Sequence, residues 1–410
     1  MSAETKTSLE LPQFISVDDH VLEKPTLWTE RLPKKYQDAA PHYERRRVGT
    51  TKWSQGSFIT IEDESAAEHD VWVFGDVVKP IRRNIAAAGL QREEMDLNPI
   101  SFDTLRPGVY DANARLADMT ANHTEVSLCF PQMIRFCGQE FSEIADRELG
   151  LLCIQAYNDW IYEEWCATDR ARLAQLTIVP LWDAELAAAE VRRNAARGAH
   201  AVAFSENPWV LGFQSIHSGY WDPFFRACEE TNGTVCMHIG SSSKMATVSP
   251  DALPAVGTAL SSLNSMGSLA EFLFSGVLER FPGLRLAYSE SEAGWIPYQL
   301  ERADVVWSEH RGWVGVTMKT PPSELYYKQV YVCSVHDSFA LRNLKDVGED
   351  NITFEVDYPH TDSTFPETEG WARKITAGLT EDQTYKFLRG NAIRMLSLDL
   401  DKDIQQRVYG

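Results

Sequence analysis

Ile352-Thr353-Phe354-Glu355-Val356-Asp357-Tyr358-Pro359-His360 opens as a short buried strand and is stopped by a proline. Proline cannot donate to a sheet ladder and restricts the residue before it. A carboxylate, an aromatic ring and an imidazole are thereby gathered at one strand end. Strand ends of this kind carry the catalytic groups of parallel barrels, so Asp357 reads as chemistry. The alternative is that Asp357 caps the following turn through its own backbone.

Working outward, the same alternation of apolar strand and helical run recurs. The pattern predicts strands over 14–20 (FISVDDH), 124–131 (TEVSLCFP), 173–181 (LAQLTIVPL), 199–205, 234–240 (TVCMHIG), 284–291 (LRLAYSES), 330–337 (VYVCSVHD) and 352–357. Helices are expected over 110–121, 140–166, 184–197, 221–232, most of 255–281, 294–310, 339–347, 381–388 and 392–398, from apolar residues at helical spacing and glycine stops such as Gly198. Eight strands separated mostly by helices define an α/β chain and point to a (β/α)8 TIM barrel in a single domain, 1–410. An open doubly wound sheet would show a glycine-rich turn after its first strand, and FISVDDHVLEKP has none. Residues 24–107 carry many prolines and only patchy periodicity, so they read as a long insertion after strand one. Such insertions commonly form lids or subunit contacts.

Composition narrows the partners. Lys plus Arg number 39 against 59 Asp plus Glu, a formal charge of −20 that repels phosphate backbones and anionic lipid. Nucleic acid and membrane surfaces are therefore not expected. The seven cysteines are scattered without a CxxC pair, and an odd count argues against a disulfide framework. The N-terminus lacks a basic and apolar leader, and no 18-residue apolar run occurs, so a cytoplasmic protein is expected.

On a strand, side chains alternate faces, so Asp18 and His20 point together while Asp19 points away. Barrel closure would gather Asp18 and His20 from strand one, His238 from strand five, Glu290 from strand six, His336 from strand seven and Asp357 from strand eight. Two or more imidazoles with carboxylates suit a divalent cation, zinc first, with manganese or iron as alternatives. Each group also has a structural alternative: His238 as a satisfied core histidine, Asp18 and His20 as a polar loop, Glu290 and His336 as braces of the rim.

The DDH of residues 18–20, NDW of 158–160, HIGSSS from His238, EAGWIPYQLERAD from Glu292 and VDYPHTDSTFP from Val356 together resemble the amidohydrolase-2 family of the amidohydrolase superfamily. This is the metal-dependent barrel group that includes aminocarboxymuconate semialdehyde decarboxylase and γ-resorcylate decarboxylase. The resemblance implies one metal held by Asp18, His20, His238 and Asp357. Asp357 would also act as catalytic base, with Glu290 and His336 as further acid or base candidates. By their positions His360 and Ser291 are expected as outer partners of the ligands or as substrate contacts. Ser291 departs from the pattern, since the decarboxylases of the family resemble one another in a histidine at that point.

The function expected from this is metal-assisted hydrolysis, in which an activated water cleaves a C–N or C–C bond of a small carboxylated or cyclic metabolite. A non-hydrolytic lyase, decarboxylase or hydratase on the same scaffold is the second expectation. A third is a subunit of an iron-dependent oxygenase resembling 2-aminoisobutyrate hydroxylase. A homo-oligomer, or a hetero-oligomer with a homologous subunit, is expected. Strand four has no lysine in AHAVAFSE to bridge a second ion, so one metal is expected.

Overall fold

The runs of buried aliphatic and β-branched residues do form strands, and the strands pair in parallel. The computed structural model describes residues 10–410 except 56 and 62. One parallel sheet joins Phe14–Val21, Thr124–Pro131 and Leu173–Ala174. A second runs through Leu176–Thr177, Ala201–Ala203, Thr234–His238, Arg285–Ser289, Val330–Ser334 and Ile352–Phe354 in that spatial order. Only Gln175 separates the two sheets on the third strand. At the other end, Asp357 N–H donates to the Asp18 carbonyl (2.9 Å) and His20 N–H to the Tyr358 carbonyl (2.7 Å). The parallel order, the intervening helices and these bonds are consistent with the expected barrel. The strands at 234–238, 330–334 and 352–354 are buried at every residue, as parallel strands covered on both faces must be.

Several elements are shorter than their sequence pattern. The helix expected over 140–166 breaks into Gln139–Glu143 and Arg147–Trp160, because Ile144 is extended and the Asp146 carboxylate caps the Leu149 N–H. The seventh strand ends at Ser334, not 337, since Asp337 accepts from the Ala340 N–H and begins the helix Ser338–Arg342. Helices Thr368–Ile375 and Lys402–Tyr409 were not among those expected. Between the first and second parallel strands lies a small flap. It holds the antiparallel sheet His42–Arg47, Glu68–Phe74, Val77–Pro80 and the hairpin Thr51–Ser54, Ser57–Thr60.

One apolar core runs from Leu11 to Leu396, with Trp28, Trp72, Trp221 and Tyr326 fully buried. All seven cysteines are buried free thiols. Among the described residues, no helix is long and apolar enough to cross a membrane.

Candidate metal centre

Asp18 and His20 leave the first strand on the same face and meet His238 from the fifth. Asp18, His20 and His238 each offer one ligand atom, and the three lie within 4.8 Å of one another. His20, Glu290, Asp357 and His360 satisfy the same condition. His20 Nε2 stands 3.6 Å from Asp18 Oδ1 and 3.3 Å from Asp357 Oδ1. His238 Nε2 stands 3.4 Å from Asp18 Oδ2 and 3.7 Å from Glu290 Oε2. Ligand atoms around one cation at 2.0–2.2 Å are separated by such distances.

Hydrogen-bond accounting distinguishes this cluster from a structural polar core. Buried polar atoms are almost always paired. Here both carboxylate oxygens of Asp18 and Asp357, both ring nitrogens of His20 and Nε2 of His238 are buried without a hydrogen-bond partner. His238 Nδ1 donates to the Ile239 carbonyl at 2.7 Å, which turns the lone pair of Nε2 into the cluster. Phe136 stacks on the other face of the His238 ring, centroids 3.8 Å apart, and His20 stacks on His360 at 3.7 Å. The donor set is nitrogen and oxygen, and it fits a single divalent cation.

Electrostatics agree. Burial pushes the Asp18 carboxyl well above its usual range, with Glu355, Glu290 and Asp357 adding to it. Asp357 is raised in the same way by burial and by Glu290 and Glu355. Burial lowers both His20 and His238. Neutral imidazoles and crowded carboxylates are the state that a cation would relieve. Glu290 differs: burial acts upward, yet His238 and the hydrogen bond from His360 hold it low. Backbone strain also gathers here, since Glu290 (φ 51°) and Asp357 (φ 55°) are both left-handed without being glycine.

His360 links the cluster to the outside. Its Nδ1 lies 3.0 Å from Asp357 Oδ1 and 3.5 Å from Glu290 Oε1, and its Nε2 lies 3.0 Å from the Gln132 amide oxygen. If that oxygen accepts from Nε2–H, the neutral ring turns the lone pair of Nδ1 toward the two carboxylates. If the amide is turned, the neutral ring carries its hydrogen on Nδ1, facing them. Gln132, Glu290, Asp357 and His360 line a cavity of about 810 Å³, to which flap residues such as Trp53, Phe58 and Lys79 also contribute.

The remaining expected residues lie outside the cluster. His336 is exposed on the turn after strand seven, its ring against Trp371 (5.0 Å) and its Nε2 by the Asp362 carbonyl (3.1 Å). The early end of that strand carries it away from the axis. Ser291 is buried, and its hydroxyl donates to the carbonyls of Tyr288 and Glu292 (3.2 and 3.0 Å). Sequence reading missed Gln132 and Phe136, which sit in a loop. It also missed Glu355, whose carboxylate accepts from the Glu290 N–H (3.1 Å) and contacts Cys333 Sγ. Period-two alternation from Asp357 back to Glu355 was the available signal. Buried Arg115 holds strand one by donating to the His20 carbonyl and to the Gly108 carbonyl (2.8 Å).

Parallel strands around a buried nitrogen and oxygen ligand set define the class of metal-dependent α/β enzymes. The family model described as Amidohydrolase matches residues 57–398, and the chain belongs to that amidohydrolase-2 family. Solved structures agree on the fold. An amidohydrolase from Mycobacterium avium subsp. paratuberculosis K-10 is 20% identical with a TM-score of 0.68, covering 96% of this chain and 100% of its own. 5-Carboxyvanillate decarboxylase from Novosphingobium aromaticivorans DSM 12444, complexed with manganese, is 18% identical with a TM-score of 0.57, covering 71% and 81%. 2,6-Dihydroxybenzoate decarboxylase from Rhizobium is 15% identical with a TM-score of 0.59, covering 95% and 100%. No curated protein matches the chain.

Proposed function

We propose that this chain is a metal-dependent lyase that removes carbon dioxide from a small carboxylated aromatic or cyclic acid. In this reading it is one domain, a closed (β/α)8 barrel with residues 24–107 inserted after strand one. The observation that carries it is the position of His360 Nδ1, 3.0 Å from Asp357 and 3.5 Å from Glu290 on the cavity wall, where its Nδ1–H tautomer holds a proton beside the ligand cluster.

Asp18, His20, His238 and Asp357 would hold the cation. When bound, it supplies Lewis acidity toward the substrate's oxygens. The oxygen-rich set suits manganese as well as zinc or iron, and the manganese in the 5-carboxyvanillate decarboxylase structure supports manganese. The protein's own part is proton delivery. As the bond to the carboxylate breaks, the electron pair left on carbon takes the His360 Nδ1 proton, and solvent restores it through Glu290. Gln132 fixes the ring for that transfer. Phe136 on His238 keeps one wall apolar and limits water. The likeness to two decarboxylases supports the reading.

Hydrolysis is the second reading, and Ser291 favours it. Its hydroxyl is turned into the backbone, so no acid stands where the decarboxylases of the family resemble one another in histidine. An ionised Glu290 could instead serve as base toward water.

The test is turnover of a panel of hydroxylated and carboxylated arenes, with matched esters, lactones and amides, after metal analysis of the purified protein. Carbon dioxide and the decarboxylated arene are expected. Exclusive cleavage of esters, lactones or amides would replace the lyase with the hydrolase. Oxygen uptake with stoichiometric iron would point to an oxygenase subunit.

A further inference from the structure

In a chain of net charge −20, the wall of the metal-site cavity carries four cations: Lys79, Arg82, Arg135 and Lys244. Two are already spoken for. Lys79 and Arg135 both contact Glu140, and Arg135 also donates to Glu143 (3.0 and 2.8 Å). Lys244 is exposed.

Arg82 differs from all three. Its guanidinium lies 3.8 Å over the Phe58 ring, and Phe58 is braced edge-on by Trp53 at 4.8 Å. Its Nε is buried without a hydrogen-bond partner, and among the described residues no carboxylate lies within 4.0 Å of it. The neighbouring Arg83, by contrast, reaches Asp96 at 3.7 Å. Burial lowers Arg82 only to about 10, so it remains a cation at neutral pH. A half-buried cation with a buried, unpartnered N–H is unfavourable unless something satisfies it.

Its position is fixed relative to the reacting groups. The Ala87 and Ala88 N–H groups donate to the Pro359 carbonyl (2.6 and 3.1 Å), and the Thr361 N–H donates to the Asn84 carbonyl (3.1 Å). The segment that carries Arg82 is therefore bonded along its backbone to the loop that carries Asp357 and His360. Asn84 Oδ1 is likewise buried without a partner and lines the same cavity.

We infer that Arg82 is a substrate-binding residue that takes a carboxylate remote from the reacting group, so that the substrate is a dianion of which one carboxylate survives into the product. The inference rests on the cavity being the substrate site. A guanidinium presents a planar fork that matches a carboxylate with two parallel hydrogen bonds. Phe58 packs against the guanidinium at 3.8 Å and lines the same cavity. Asn84 Oδ1 is set to accept from a hydroxyl on the same ligand.

The test is calorimetric titration of the full-length protein with benzene-1,3-dicarboxylate and with benzoate, both manganese-loaded and after chelation. The dicarboxylate is expected to bind roughly tenfold tighter than benzoate. In the manganese-loaded protein, where the cation takes the single carboxylate of benzoate, Arg82→Gln should abolish that ratio by weakening the dicarboxylate. Arg82→Lys, which keeps the charge but loses the fork, should retain part of it. After chelation the binding that remains, of either acid, should still be weakened by Arg82→Gln, since Arg82 does not depend on the cation. A ratio unchanged in Arg82→Gln with an intact circular-dichroism spectrum overturns the inference. So does a ratio unchanged in Arg82→Lys, should Arg82→Gln fail to fold, and so does binding of the dicarboxylate to the chelated protein that Arg82→Gln leaves unchanged. If no acid is decarboxylated yet the ratio still depends on Arg82, the lyase reading fails and the carboxylate subsite stands.

Discussion

The two faces of the first strand carry adjacent aspartates with opposite surroundings. Asp19 points away from the axis, where its carboxylate accepts from the hydroxyls of Ser16 (2.9 Å) and Ser127 and from the Tyr358 N–H (3.0 Å). Asp18 points inward, equally buried, and accepts nothing. One carboxylate ties three strands together, and the other waits for a cation. Burial alone does not separate scaffold from site here, whereas the count of satisfied lone pairs does.

The largest effect should come from the inward face. His238→Ala should lower metal affinity by roughly 100-fold or more, read by elemental analysis after dialysis, with activity lost in step. Retention of full metal content would dissolve the contrast. Next is Glu23, a third buried acid on this strand's extension, whose carboxylate accepts from the Met133 (3.0 Å) and Gln132 (3.1 Å) N–H groups. Burial nonetheless raises it to about 7. Between its unfolded value near 4.5 and that value, the folded state binds the extra proton. Stability must therefore fall as pH rises across this window and level off above it. The loss is on the order of 3 kcal/mol, and Glu23→Gln should flatten the slope in urea titrations at pH 5 to 8.

The aspartates themselves give a smaller, opposed pair. Asp19→Ala should destabilise by about 2 kcal/mol while keeping the metal. Asp18→Asn should stabilise the metal-free protein by about 1 kcal/mol and lose the metal, since it removes a buried, unpaired carboxyl whose ionisation the metal-free fold opposes. Equal signs in thermal melts of chelated protein would contradict the assignment. The smallest expected effect is outside the ligands: Gln132→Ala should lower kcat roughly tenfold without changing metal content, because His360 loses its anchor.

The clustering was legible in part because strand ends obey a two-residue period, which pairs Asp18 with His20. The choice of His238 and Asp357 as their companions came with the family resemblance, and the structure brings all four side chains together. His336 did not follow, because the helix cap at Asp337 ends strand seven early, and a cap outweighs three more residues of apolar run. The break at Asp146 within the long helical pattern has the same cause. Gln132, Phe136 and Arg82 were not legible at all. They reach the cavity from loops and the flap, whose place over the site is set by packing between residues far apart in the chain.

The bonds from residues 84–88 to the loop at 359–361 run between backbones, so they are indifferent to which side chains the flap carries. Mutation can therefore rewrite the flap's lining at Phe58, Arg82 or Asn84 without undocking it from the chemical groups. Lineages built on this arrangement can change what they admit while inheriting how they react.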